Sequence, residues 1–145
     1  MAIEINGWVE TGLLCALFIS VVPAYLSRSV AGSYDNEAIS ITLLLLTFYF
    51  FLKGCRTGKL KDGSIGAILY SYLVSSWGGY SFPIAFIPLY VLFCLFTNHY
   101  SFNMYKNYTQ FYLIAQFWSM QTQFINFKIW HKSEHLGSHM VFILI

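Results

Sequence analysis

Residues 38–52 read AISITLLLLTFYFFL. No charge interrupts the run, and its hydroxyl groups are too few to give a helix a water-facing stripe. A helix of this kind belongs inside a large core or inside a bilayer. With its flanks it approaches the roughly 20 residues that a spanning helix needs. Asp35 and Glu37 stand just before it and Lys53 just after it, so the charges sit where the oil ends.

Working outward, similar runs recur at 11–26, 64–76, 83–97, 108–124 and 136–145. The 145 residues are 57% hydrophobic and 10% charged, and their mean hydropathy is +0.59. Soluble domains carry about 25% charge. A soluble helical core is the competing reading, and the missing polar stripe on every run counts against it. The expected fold is therefore all-α: a polytopic transmembrane helix bundle with five spans and the start of a sixth, near 11–27, 38–53, 63–76, 83–97, 108–124 and 136–145. No soluble domain is expected. Trp8, Tyr25, Tyr34, Trp77, Tyr80, Tyr100, Tyr105, Tyr108 and Trp130 gather near run ends, where interfacial aromatics belong. Glu4 and Glu10 without a basic residue speak against a cleavable signal peptide. A formal net charge of +2 gives no footprint for nucleic acid.

Lys53, Arg56, Lys59 and Lys61 crowd one short loop and are half of the eight Lys and Arg residues. The positive-inside rule puts that loop in the cytoplasm. Alternation then puts 27–37, 77–82 and 125–139 on the exoplasmic side and 98–107 back in the cytoplasm. Lys128 and Lys132 run against the rule. Cys15, Cys55 and Cys94 suggest no disulfide framework.

The connection SRSVAGSYDNEAIS, 27–40, is unusually charged for this chain. Asp35 and Glu37 suit capping of the following helix. They also suit a hard divalent cation, which prefers carboxylate oxygens. Residues two apart on a helix point roughly 200° apart, so joint binding requires the backbone there to be still extended or only just turning helical. Arg28 could snorkel to the interface or serve an anion. A transporter or channel subunit using Asp35, Glu37 and Arg28 as an ion site is a competing reading. It is weakened by the lack of ionisable residues inside the spans. HKSEH, 131–135, matches H-x-x-E-H, in which His131, His135 and His139 would share a helical face, but a third zinc ligand is missing. Asn107-Tyr108-Thr109 is a sequon on the side expected to be cytoplasmic.

The stretch VVPAYLSRSVAGSYDNEAI, followed by KGCRTG, YSYLVSSWGGYSF and IPLYVL and ending at KSEH with a later VF, resembles the catalytic subunit of eukaryotic oligosaccharyltransferase. The resemblance covers about residues 10–145. It implies a part of a thirteen-helix membrane domain, from about the third to the eighth helix, in a glycosyltransferase of protein N-glycosylation. Such enzymes move an oligosaccharide from dolichyl diphosphate to Asn of Asn-X-Ser/Thr, with Mn2+ or Mg2+ between acidic side chains. By resemblance Asp35 and Glu37 are metal ligands, and Arg28, Trp77 and Tyr80 lie near the lipid-linked substrate. Implied partners are the lipid-linked oligosaccharide, an acceptor polypeptide, other oligosaccharyltransferase subunits and membrane lipid. The implied place is the endoplasmic reticulum membrane, with the Asp35 and Trp77 loops lumenal. The family's first acidic motif, later glutamate and WWDYG motif are not among these residues, so inactivity of the chain alone is expected. The family usually reads IRTSEHM where this chain has Trp130, His131 and Lys132 before SEH.

Overall fold

A computed structural model describes residues 1–32, 35–122 and 132–145, and every described element is helical. Among the described residues there are eight α-helices, α1 (Ala2–Asn6), α2 (Val9–Val21), α3 (Pro23–Ser29), α4 (Asn36–Thr57), α5 (Leu60–Ser76), α6 (Ser81–Phe96), α7 (Phe102–Met120) and α8 (Ser133–Leu144), with a 3-10 turn at Gly78–Tyr80 before α6. The run expected near 11–27 breaks at Pro23. Proline cannot donate to the helix ladder and drives the preceding residue out of the helical region. Val22 accordingly takes φ −60°, ψ 120°, and α3 leaves α2 at 59°.

Among the described residues, α4 and the Gly78–Phe96 unit are long and apolar enough to cross a membrane, or up to three spans if the bent α2–α3 pair counts as one. The other runs expected as spans fall outside that measure for local reasons. Helix α5 has 17 residues and α8 has 12. Helix α7 begins at Phe102 rather than near 108, because Ser101 caps it by accepting from the Met104 N–H at 3.3 Å. That start brings Asn103, Lys106 and Asn107 into the helix and dilutes its apolar character.

Several polar residues of these helices turn inward, while Asn103 and Lys106 stay exposed. Asn107 of α7 is 2% exposed. Its amide donates to the Phe51 carbonyl at 2.9 Å, with the Cys55 sulfur at 3.2 Å. A Cβ at Gly54 or at Gly63 would collide with its side chain, so both helices need glycine there to let α7 approach. Gly66 faces α4 instead, where an added Cβ would sit at ordinary contact distance, 3.5 Å from the Thr47 carbonyl oxygen. Small residues at such crossings replace the hydrophobic drive that is absent in lipid. Around this crossing Phe51, Ala67, Tyr70, Phe111 and Ala115 fill the core, with Phe51 edge-on to Phe111 at 5.5 Å. The outside is apolar: Phe93, Phe96, Phe117 and Ile143 are exposed, and no residue of α2 is buried. This is the inverse of a soluble surface and fits a lipid surround.

Helices α4 and α5 are antiparallel, and the Ser40 and Ser76 hydroxyls meet at 3.2 Å at one end. Asp35 at the start of α4 and the Gly78–Tyr80 turn therefore share that end. At the other end Gly58 lies against Asn103, and Arg56 donates to the Glu4 carbonyl at 2.7 Å. The basic loop and the start of α7 share this second end. The sequon asparagine is buried at the α4–α5–α7 crossing, where it offers no free amide.

Candidate functional site

Arg28 closes the last turn of α3, where a cation suits the helix dipole. The chain then reverses through Gly32 at φ +93°, a backbone conformation that glycine adopts without strain. The Asp35 N–H returns to the Arg28 carbonyl at 3.5 Å. Asp35 is extended, at φ −126°, ψ 167°, and Glu37 lies in the first turn of α4. An extended N-cap residue is ordinary at a helix start, and this geometry also lets the two carboxylates face one point. Both face the same guanidinium: Arg28 Nε donates to Glu37 Oε2 at 2.9 Å, and Nη1 is 4.0 Å from Asp35 Oδ2.

Capping uses only part of Asp35. Its Oδ1 accepts from the adjacent Asn36 N–H at 2.7 Å, whereas a full cap reaches one or two residues further. The side chains of Arg28 and Asp35 are 52% and 55% exposed and that of Glu37 is 28% exposed. Pairs this open contribute about 0.2–1 kcal/mol. The cluster is thus well ordered by geometry and weakly used by folding.

Trp77 is half-buried at the end of α5. A Cβ on Gly79 would enter its ring, whereas one on Gly78 would meet open space. Tyr80 is only 7% exposed. Its hydroxyl donates to Glu134 Oε2 at 2.8 Å and accepts from Lys132 Nζ at 3.1 Å. The Trp77 turn and the start of α8 therefore lie at the same end as Asp35 and Glu37. Sequence reading missed Glu134 and its contact with Tyr80. The only available signal was an acidic residue at the mouth of a span, and the H-x-x-E-H pattern drew attention elsewhere.

His131, Trp130 and Lys128 lie outside the described residues. His135 and His139 do share one face of α8, with rings 6.3 Å apart. That face meets α7. Tyr112 Oη is 2.6 Å from His139 Nδ1, Gln116 is 3.4 Å from His135 Nδ1, and the Tyr108 hydroxyl donates to the Ser138 carbonyl at 3.0 Å. The two histidines take part in a polar seam between antiparallel helices. Among the described residues no three His, Cys, Asp or Glu side chains are grouped to hold a metal ion. Asp35 and Glu37 offer two carboxylates.

The family profile described as "Oligosaccharyl transferase STT3, N-terminal" matches residues 8–145. The chain is 47% identical over 134 residues to dolichyl-diphosphooligosaccharide–protein glycosyltransferase subunit STT3B of Arabidopsis thaliana, covering 92% of this chain and 18% of that protein. It is 47% identical over 136 residues to subunit STT3 of Saccharomyces cerevisiae, covering 94% and 19%. Against subunit stt-3 of Caenorhabditis elegans it is 45% identical over 134 residues, covering 92% and 18%. The chain thus spans about a fifth of the length of these curated relatives. With the matched segment covering nearly all of its residues, it belongs to the oligosaccharyl transferase STT3 family, in the family's N-terminal region.

Proposed function

We propose that this segment forms part of the donor site of an oligosaccharyltransferase catalytic subunit. That enzyme transfers oligosaccharide from dolichyl diphosphate to Asn of Asn-X-Ser/Thr. The observation that carries the reading is the convergence of an extended Asp35 and a helical Glu37 on Arg28 at the mouth of α4. Family membership and the relatives' names support the chemistry. The proposed setting is the endoplasmic reticulum membrane, with the Asp35 and Trp77 connections lumenal and the basic loop cytoplasmic. Other subunits, membrane lipid, the lipid-linked oligosaccharide and the acceptor polypeptide are its proposed partners.

The two carboxylates fit a hard divalent cation, because both are oxygen donors open to water and both already reach one positive group. Mn2+ or Mg2+ held by Asp35 and Glu37 would supply positive charge against the departing diphosphate. Arg28 stands at the same point and can turn its Nη donors toward phosphate oxygens, forming charge-assisted bonds that strengthen as negative charge develops. Trp77, on the neighbouring connection, would bound the donor's space, and Tyr80 would support that wall. The carboxylates that the family uses to activate the acceptor amide are not among these residues. The isolated chain is therefore proposed to be inactive, and transfer to an Asn-X-Thr peptide by the purified chain would overturn that part.

The test replaces the matched segment of the Saccharomyces cerevisiae relative with residues 8–145 of this chain, within the assembled complex. Turnover is measured for the unsubstituted chimera and for Asp35→Asn across a manganese titration, with assembly checked by co-purification. The expected result is an active chimera whose Asp35→Asn form assembles, loses turnover and responds weakly to manganese. An assembled Asp35→Asn complex with full turnover and an unchanged manganese response sinks the metal reading. An acceptor tag in the basic loop should stay unmodified.

A further inference from the structure

Tyr80 closes the turn between α5 and α6, yet its hydroxyl reaches Glu134, 54 residues later. A phenol has one proton to give, and here it goes to Glu134 Oε2 at 2.8 Å. The Lys132 ammonium donates to the same phenol oxygen at 3.1 Å. A donor on that oxygen polarises the hydroxyl and strengthens the bond it makes onward. The Tyr80 ring is covered as well: it is 7% exposed and lies 6.0 Å from the fully buried His135 ring. Tyr80 is thus engaged by α8 on its hydroxyl and on its face. The turn it closes carries Gly78 and Gly79, which restrain a backbone poorly. Trp77, at the start of that turn, rests its ring against Gly79.

We infer that the Tyr80–Glu134 hydrogen bond is a latch, which pins the Trp77–Tyr80 turn to the start of α8 and so holds Trp77 at the end of the bundle where Asp35 and Glu37 stand. Glu134 is a positioning residue that acts through Tyr80. The inference rests on the reading of that end as the donor site, which it deepens by assigning how the second connection is held.

The test uses the chimeric complex described above with Tyr80→Phe, Glu134→Leu, Glu134→Gln and the Tyr80→Phe/Glu134→Leu double variant. Kinetic constants are measured separately for a lipid-linked oligosaccharide and for an acceptor peptide. Tyr80→Phe and Glu134→Leu should each raise donor KM several-fold, with kcat and acceptor KM retained. The double variant should be no worse than either single one, since both break one bond. Glu134→Gln should recover most of the loss, because its amide oxygen still accepts from the hydroxyl. Additive losses would place Tyr80 in direct contact with the donor and overturn the latch. So would an unchanged donor KM in both singles, or Gln as harmful as Leu. A second readout is independent of activity: amide exchange at Trp77–Tyr80 should quicken in Glu134→Leu and not in Glu134→Gln. Unaltered exchange removes the latch. Altered exchange alongside a normal Asp35→Asn enzyme keeps the latch and removes the metal site it was thought to serve.

Discussion

Asn107 and the Arg28–Asp35–Glu37 group are both polar insertions in an oily chain, and they sit in opposite surroundings. Asn107 is 2% exposed and wedged against Gly54 and Gly63, with its amide on the Phe51 carbonyl. Nothing in it can meet a ligand, and three helices depend on its fit. The charged group is about half exposed at Arg28 and Asp35. The two carboxylates share one cation. Polar residues placed where packing uses them are glue, as in other membrane bundles. Charges placed where packing gains little call for another explanation, and ligand chemistry supplies one.

The sharpest way to break this comparison is Glu37→Gln in the chimeric complex. Glutamine keeps the length and can still accept from Arg28, so folding should be almost unchanged. Turnover should fall about 10²–10³-fold, the usual cost of losing a main electrostatic stabiliser of a transition state. Steady-state transfer checks the first part and thermal unfolding in detergent checks the second. Normal turnover would move Glu37 to the same class as Asn107.

The complementary change is Gly54→Val. Its new side chain falls on the Asn107 amide, and overpacking of a tight crossing costs about 1–3 kcal/mol. Thermal unfolding should drop accordingly, while turnover of whatever assembles should stay normal. Loss of turnover at unchanged stability would show that the crossing does more than pack.

A smaller contrast lies within two adjacent glycines. Gly79→Ala drives a Cβ into the Trp77 ring, whereas Gly78→Ala meets open space. The first should displace Trp77 and weaken donor binding, and the second should act as the unsubstituted protein does. Trp77 fluorescence would not be unique among four tryptophans, so donor KM is the better measurement. Equal behaviour of the two variants would mean that the Trp77 ring yields without consequence.

Much of this was legible in the sequence. Helical class followed from uninterrupted apolar runs, and the extended Asp35 is what the capping reading implies, since an N-cap residue ordinarily lies in the extended region. The break at Val22–Pro23 is also legible, because proline bars a continuous helix, whereas hydropathy alone runs through it. Hydropathy alone also starts α7 too late. Asn103, Lys106 and Asn107 look like loop residues in a hydropathy count, and only the α4–α5 glycines make a buried Asn107 tolerable. The Tyr80–Glu134 bond had no local signature. It joins distant segments, and hydropathy and spacing carry no information about which span ends meet.

The smallest expected effect concerns the stability contributed by Arg28. Its guanidinium is 52% exposed and spans two carboxylates, at 2.9 Å to Glu37 and 4.0 Å to Asp35. The coulombic gain in water is small, and a long side chain loses rotamer freedom when held. Arg28→Ala should therefore lower stability by about 0.2–1 kcal/mol at low salt. Near 1 M salt the Debye length shrinks to about 3 Å, and most of that difference should vanish. On the proposed role, function would respond to another property of the same residue, because the donors it would offer to phosphate disappear with the side chain. Donor KM should rise in Arg28→Ala and recover only in part in Arg28→Lys, because lysine restores the charge without the planar fork. Unfolding at two salt concentrations, set beside donor KM for both variants, separates the two roles. A large, salt-independent loss of stability would mean that the group at the mouth of α4 is glue after all, and the contrast with Asn107 would collapse.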